Sequence, residues 1–136
     1  MRTVFADTAY WIALSNPKDQ LHKTAKTVRE KLGNAHLVTT DEVLIEFLNA
    51  FSISGETVRR QIARIVRQIL GDAGVTVMSA SRESFLMGLQ FYERRLDKGY
   101  SLTDCVSMTV MKASGIREAL SADSHFQQEG HTILLV

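Results

Sequence analysis

Apolar and polar positions along the chain follow two rhythms. Short runs rich in β-branched and aromatic residues read as strands: Thr3 to Ala6, His36 to Thr39, Val75 to Met78, Glu118 to Ala122 and Thr132 to Val136. Longer stretches between them have helical period. Leu21, Ala25, Val28 and Leu32 follow i, i+4, i+7, i+11, with Asp19 as the N-cap. Val43, Leu44, Phe47, Leu48 and Phe51 mark a second helix, and Ile62, Ile65, Val66, Ile69 and Leu70 a third. Phe85 through Leu96 reads as a fourth. A fifth runs from Leu102 to Ser114 and stops at Gly115, a residue suited to the C′ position. Strands alternating with helices predict an α/β fold with a mainly parallel sheet of about five strands, covered on both faces. The reading also places a run of three helices between the second and third strands, longer than a plain doubly wound fold uses.

Composition narrows the class without naming a function. The 136 residues, 45% of them hydrophobic, suit one domain spanning residues 1–136. No repeat, low-complexity tract or linker divides them. The longest apolar run, Ala9 to Leu14, is far short of the ~20 residues of a membrane span, and Met1-Arg2-Thr3 opens no signal peptide. A lone Cys105 allows no internal disulfide, which fits a cytoplasmic protein. With 16 basic and 15 acidic side chains, the net charge of +1 creates no overall field toward nucleic acid or an anionic membrane. Function must lie in local placement.

In a parallel sheet, ligands bind beyond the C-terminal ends of the strands. Four carboxylates fall at such places. Asp7 follows the first strand and Asp123 the fourth; each could simply cap the helix that comes next. Asp104 opens a helix whose other charged residue, between Ser101 and Gly115, is Lys112. Such a helix is buried, and an ionised carboxylate on it requires compensation. Ser101-Leu102-Thr103-Asp104 also matches a capping box with Asp replacing Glu. On the helix after the second strand, Glu42 and Glu46 stand one turn apart. Glu42 completes a T-x-x-E box with Thr39, whereas Glu46, on the flank of the apolar stripe with Glu42 and Asn49, has no such local task. Clustered on one rim, these acids would repel one another without a cation, and oxygen ligands suit Mg²⁺ or Mn²⁺. Zinc is disfavoured, because Cys105 and His22, His36, His125 and His131 show no ligand spacing.

These segments resemble the PIN-domain nucleases, in particular the VapC-type toxin ribonucleases, in order along the whole chain. Val4-Phe5-Ala6-Asp7-Thr8 looks like the family's opening strand with its first acid. Thr39-Thr40-Asp41-Glu42-Val43-Leu44-Ile45-Glu46 is similar to the second-strand exit, with the helical Glu at Glu46. Tyr100-Ser101-Leu102-Thr103-Asp104-Cys105 and Ala119-Leu120-Ser121-Ala122-Asp123-Ser124-His125-Phe126 resemble the third and fourth acidic motifs. The resemblance implies a three-layer α/β/α sandwich, a divalent metal (Mg²⁺ or Mn²⁺) and endonucleolytic cleavage of RNA to 5′-phosphate and 3′-hydroxyl ends. It implies that Asp7, Glu46, Asp104 and Asp123 form the catalytic metal site. Asp7 and Asp104 would be direct ligands, with Glu46 and Asp123 acting through water or a second ion. Thr8 and Thr103 would orient water or a ligand, and His125 would touch a phosphate. A homodimer and a neutralising antitoxin are also implied, with no membrane partner.

Arg60, Arg64 and Arg67 recur at i, i+4, i+7 opposite the apolar face of the third helix, and Arg94, Arg95 and Lys98 form a second basic cluster. Either is an ordinary solvated face or a phosphate-contacting surface. Tyr10, Trp11, Phe47, Phe51, Phe85, Phe91 and Phe126 fit core positions better than base-stacking ones. Three other readings compete with a toxin ribonuclease. One is a non-catalytic PIN-like module that binds RNA or protein, its acids serving as caps. Another is a housekeeping RNA-processing nuclease. The third, a phosphate-accepting receiver domain, is disfavoured because Asp7 is followed by Thr8-Ala9-Tyr10-Trp11 rather than by further acids.

Overall fold

The computed structural model describes residues 1–136. Five strands, β1 (Thr3–Ala6), β2 (His36–Thr40), β3 (Val75–Met78), β4 (Glu118–Leu120) and β5 (Thr132–Ile133), form one all-parallel sheet in the order β3-β2-β1-β4-β5. Seven helices connect them: α1 (Thr8–Ser15), α2 (His22–Leu32), α3 (Asp41–Ala50), α4 (Glu56–Leu70), α5 (Arg82–Glu93), α6 (Leu102–Ser114) and α7 (Ser124–Gln128). Neighbouring residues of a strand point to opposite faces, yet Val4, Phe5 and Ala6 of β1 are all fully buried. Both faces are therefore covered, and the architecture is the α/β/α sandwich. The strand order differs from the 2-1-3-4-5 order of receiver-like folds, which removes that alternative.

The chain leaves β1 toward β2 and β3, then returns to place β4 on the other side of β1. The direction of winding reverses between β1 and β4, and a crevice opens where their exits diverge. Phe5 pairs in register with Val38 on one side and Ala119 on the other, so the exits of β1, β2 and β4 reach one edge together.

Several local expectations are corrected. Two helices, not three, lie between β2 and β3; α5 follows β3. The cap of α3 is Thr40, whose side chain accepts the Val43 N–H, one residue later than the Thr39–Glu42 box requires. Thr39 is withdrawn by other bonds: its hydroxyl donates to the Ala6 carbonyl at 2.8 Å and accepts from Trp11 Nε1 at 3.4 Å. The α2 cap position is Leu21, and Asp19 acts just before it by accepting the Leu21 N–H. Strands β4 and β5 end earlier than their apolar runs, because β5 pairs with β4 alone at the sheet's edge. Phe85 is 39% exposed, beside Arg82 rather than in the core.

A cluster of 24 buried residues forms the core, with Phe5, Phe47 and Phe126 fully enclosed. Burying each such ring contributes about 1.5–3 kcal/mol. Helix α6 ends as its sequence requires, on Gly115 at φ 68° in the left-handed region. On its outer side α5 crosses it at Gly88, where an added Cβ would lie 2.6 Å from Val106 Cγ2. A second anchor ties the end of α5 to the turn after α7. Arg95 donates to both Glu129 carboxylate oxygens at 2.9 and 3.1 Å, and the Tyr100 hydroxyl donates to the same group at 2.7 Å. These bonds, led by Arg95, hold the Glu129 carboxyl below its ordinary value of 4.5.

Two outcomes follow from this packing. Gly88→Ala should destabilise the protein in urea denaturation, since overpacking costs about 1–3 kcal/mol against roughly 1 kcal/mol of helix propensity gained. The loss should shrink when Val106→Ala is added. Glu129→Gln should lower stability by about 1–2 kcal/mol at pH 7, discounted because Arg95 is partly exposed. The carboxylate's contribution is present above about 4.5 and lost as pH falls through its lower folded value, so the gap between the two proteins should narrow in urea titrations as pH is lowered below 4.5.

Candidate active site

The rim of the sheet gathers the acids the sequence singled out, each brought by a different element. Asp7 stands between β1 and α1, at the cap position of α1, but its side chain makes no capping bond. Instead its Oδ2 accepts the Ser121 hydroxyl at 2.8 Å. Ser121 also accepts the Asp123 backbone N–H at 3.0 Å, so one buried hydroxyl joins the exits of β1 and β4. Nothing in the pattern around Ser121 distinguished it from an ordinary small core residue; only the pairing of β1 with β4 gives it this task.

Asp7 is 7% exposed. Burial, only partly offset by the Ser121 bond, pushes its carboxyl up to about 6, and the nearby charges of Asp104 and Glu46 push the same way. Glu46, on α3, accepts the Thr8 hydroxyl at 2.7 Å, which fixes the first turn of α1 against α3. Thr8, expected to orient water or a ligand, gives its hydroxyl to Glu46. Thr103 lies half-buried in the first turn of α6 and reaches none of the acids by hydrogen bond. Glu42 is half-buried on the same helix as Glu46 and takes no part in these contacts.

Asp104 forms the expected cap and also faces a histidine. The Ser101–Asp104 capping box is formed, with Asp104 Oδ2 accepting the Ser101 N–H at 3.1 Å. The same oxygen is 3.3 Å from His125 Nδ1, which in turn is 3.4 Å from Asp123 Oδ1. Asp123 caps α7 by accepting the His125 N–H at 2.9 Å. One ligand atom from each of Asp104, Asp123 and His125 lies within 4.8 Å of the others. Sequence spacing hid His125, which is 21 residues from Asp104 and meets it only after α6 and β4 have turned back on the sheet.

The donor set suits a divalent cation. The charges of Asp104 and Glu46 act on Asp7, Ser121 links Asp7 to the Asp123 backbone, and none of the four acids is paired with a lysine or arginine. Carboxylates in such proximity stabilise a bound cation and are stabilised by it. Asp104, Asp123 and His125 have ligand atoms close enough to share one, with Asp7 and Glu46 beside Asp104 in charge.

The basic surfaces separate. Arg60, Arg64 and Arg67 are exposed along α4, with Arg60 3.4 Å from Glu56. The second cluster is largely spent: Arg95 is bound to Glu129, and Lys98 sits 3.7 Å from Asp97. No helix of the chain is long and apolar enough to cross a membrane.

No protein-family model matches the chain. It is 26% identical over 127 residues, 93% of its length and 94% of the relative's, to the 23S rRNA-specific endonuclease VapC20 of Mycobacterium tuberculosis, in strains CDC 1551 / Oshkosh and ATCC 25618 / H37Rv. The crystal structure of Mycobacterium tuberculosis VapC20, described as a sarcin–ricin loop cleaving toxin, superposes with a TM-score of 0.83, covering 95% of this chain and 96% of that one. Over nearly its whole length the chain is thus similar in sequence and in fold to a VapC toxin ribonuclease.

Proposed function

We propose that the chain is a Mg²⁺- or Mn²⁺-dependent endoribonuclease and the toxin of a toxin–antitoxin pair, working in the cytoplasm as a homodimer under the control of a cognate antitoxin. The observation that carries this reading is the buried, cation-free convergence of Asp7 with Asp104 and Glu46 at the switch between β1 and β4. An acid used only as a cap has no reason to be buried without capping, and Asp7 is both.

The residues divide the work. Asp7 and Asp104 hold the cation, with Asp123 and Glu46 completing its surroundings. Ser121 fixes one oxygen of Asp7 and so aims the carboxylate. Thr8 holds Glu46 in one rotamer. A divalent ion held there would supply an activated water and neutralise charge developing on the scissile phosphate. Arg60, Arg64 and Arg67 meet flanking phosphates, giving affinity that depends on salt and not on sequence. The 23S rRNA loop cut by the relative is the first substrate to test.

The burial of Asp7 has a measurable cost, which links its chemistry to stability. With the carboxyl raised from 3.8 to about 6, keeping it ionised in the metal-free protein costs about 3 kcal/mol at pH 7. The folded state binds the proton more tightly than the unfolded chain, so this cost is full above about 6 and fades as pH falls toward 3.8.

Asp7→Asn should therefore have two opposite effects. RNA cleavage with Mg²⁺ or Mn²⁺ should fall by more than about 100-fold, beyond what supporting residues of metal sites usually cost, and Asp104→Asn should do the same. Without metal, Asp7→Asn should be more stable than the parent at pH 7 by up to about 3 kcal/mol, the gap closing near pH 4. Undiminished cleavage by a folded Asp7→Asn protein would sink the nuclease reading, and calorimetry that finds no Mn²⁺ uptake by the parent would favour a cap-only, non-catalytic module.

A further inference from the structure

His125 belongs to the rim in a way that four acids alone do not explain. Its Nδ1 faces two carboxylates at once, 3.3 Å from Asp104 and 3.4 Å from Asp123. Bonds of about 2.1 Å in an octahedral centre place adjacent ligand atoms about 3 Å apart and opposite ones about 4 Å apart. The three candidate ligand atoms, all within 4.8 Å of one another, already have nearly that spacing.

The ring is also held from outside the acids. Tyr100 packs against it at a centroid distance of 5.0 Å and an interplanar angle of 59°. Tyr100 is in turn fixed by its bond to Glu129, which Arg95 grips with two more. A histidine needed only to cap or cover α7 requires no such support. The charge of this corner also reaches Asp7, which is 7% exposed, feels the Asp104 carboxylate, and has the Ser121 hydroxyl and no basic side chain as partner.

Resting on the metal-dependent reading above, we infer that His125 is itself a metal ligand through Nδ1, so that Asp104, Asp123 and His125 form a nitrogen-containing corner selecting Mn²⁺ over Mg²⁺. Mg²⁺ is a hard ion that takes oxygen donors and gives up its waters reluctantly, whereas imidazole nitrogen binds first-row transition ions more strongly. The neutral tautomer with its proton on Nε2 presents the Nδ1 lone pair to the cation. The His125 side chain is 28% exposed.

The rival role is that of a hydrogen-bond donor that quiets the two acids until an ion displaces it. Electron spin-echo spectroscopy of the Mn²⁺-loaded parent protein separates the two. Direct ligation gives ¹⁴N modulation from a bound imidazole, and His125→Gln abolishes it. Calorimetric titration with each ion should show His125→Gln weakening Mn²⁺ binding by about tenfold or more while changing Mg²⁺ binding by less than about twofold. Mn²⁺ bound without ¹⁴N coupling would overturn this inference and leave the metal site standing. Equal losses for both ions would overturn it as well, making His125 an electrostatic neighbour. Absence of Mn²⁺ binding to the parent would overturn both readings together.

Discussion

The organisation of the rim depends on one carboxylate held where water can scarcely solvate it. Asp7 is fixed by its neighbours: β1 is the central strand, buried on both faces, so the residue that ends it emerges in the interior of the crevice and not at the surface. Burial pushes its carboxyl up to about 6, against the Ser121 bond, and two further acids make ionisation harder still. A fold selected for stability would fill this place with Asn or a small apolar residue. Asp here costs stability that a bound positive charge would offset, and stability conceded at a site is a mark of function.

Most of the fold was legible because its signals are local. The limits of β1, β3 and α6, and the Gly115 stop, follow from apolar rhythm, capping chemistry and a left-handed glycine. The order of the acids was legible for the same reason: in a parallel sheet, the residue after each strand lands on one edge. What failed needed knowledge of pairing. The α3 cap moved from Thr39 to Thr40 because Ala6, a neighbour across the sheet, competes for the Thr39 hydroxyl. Arg95 looked like part of a basic surface until Glu129, 34 residues away, was seen to hold it. Ser121 and His125 went unread as partners of the acids because their contacts cross from β4 and α7 to β1 and α6.

The segment after β4 has a double duty that the linear pattern conceals. Within a few residues it provides Ser121 to aim Asp7, Asp123 to cap α7, His125 to face the acids, Phe126 to fill the core and Glu129 to lock Tyr100 and Arg95. Core packing and site geometry are thus the same set of contacts. Phe126, fully buried, fixes α7 against the sheet, and the position of α7 decides how close His125 comes to Asp104. A loosening of this corner would move a side chain of the site without touching any of the four acids.

The near-neutral charge of the whole chain conceals the same division of labour. A sum of +1 arises from acids gathered at the strand exits and arginines displayed on α4. Such an arrangement suits a polyanionic substrate that must be drawn in over a basic surface and yet approach a cluster of carboxylates. The carboxylates would repel phosphate until a cation screened them, so on the proposed reading metal occupancy would govern not only reaction but also how closely RNA can sit. Charge balance here is therefore a description of two opposed fields, and the cation decides which of them the substrate meets.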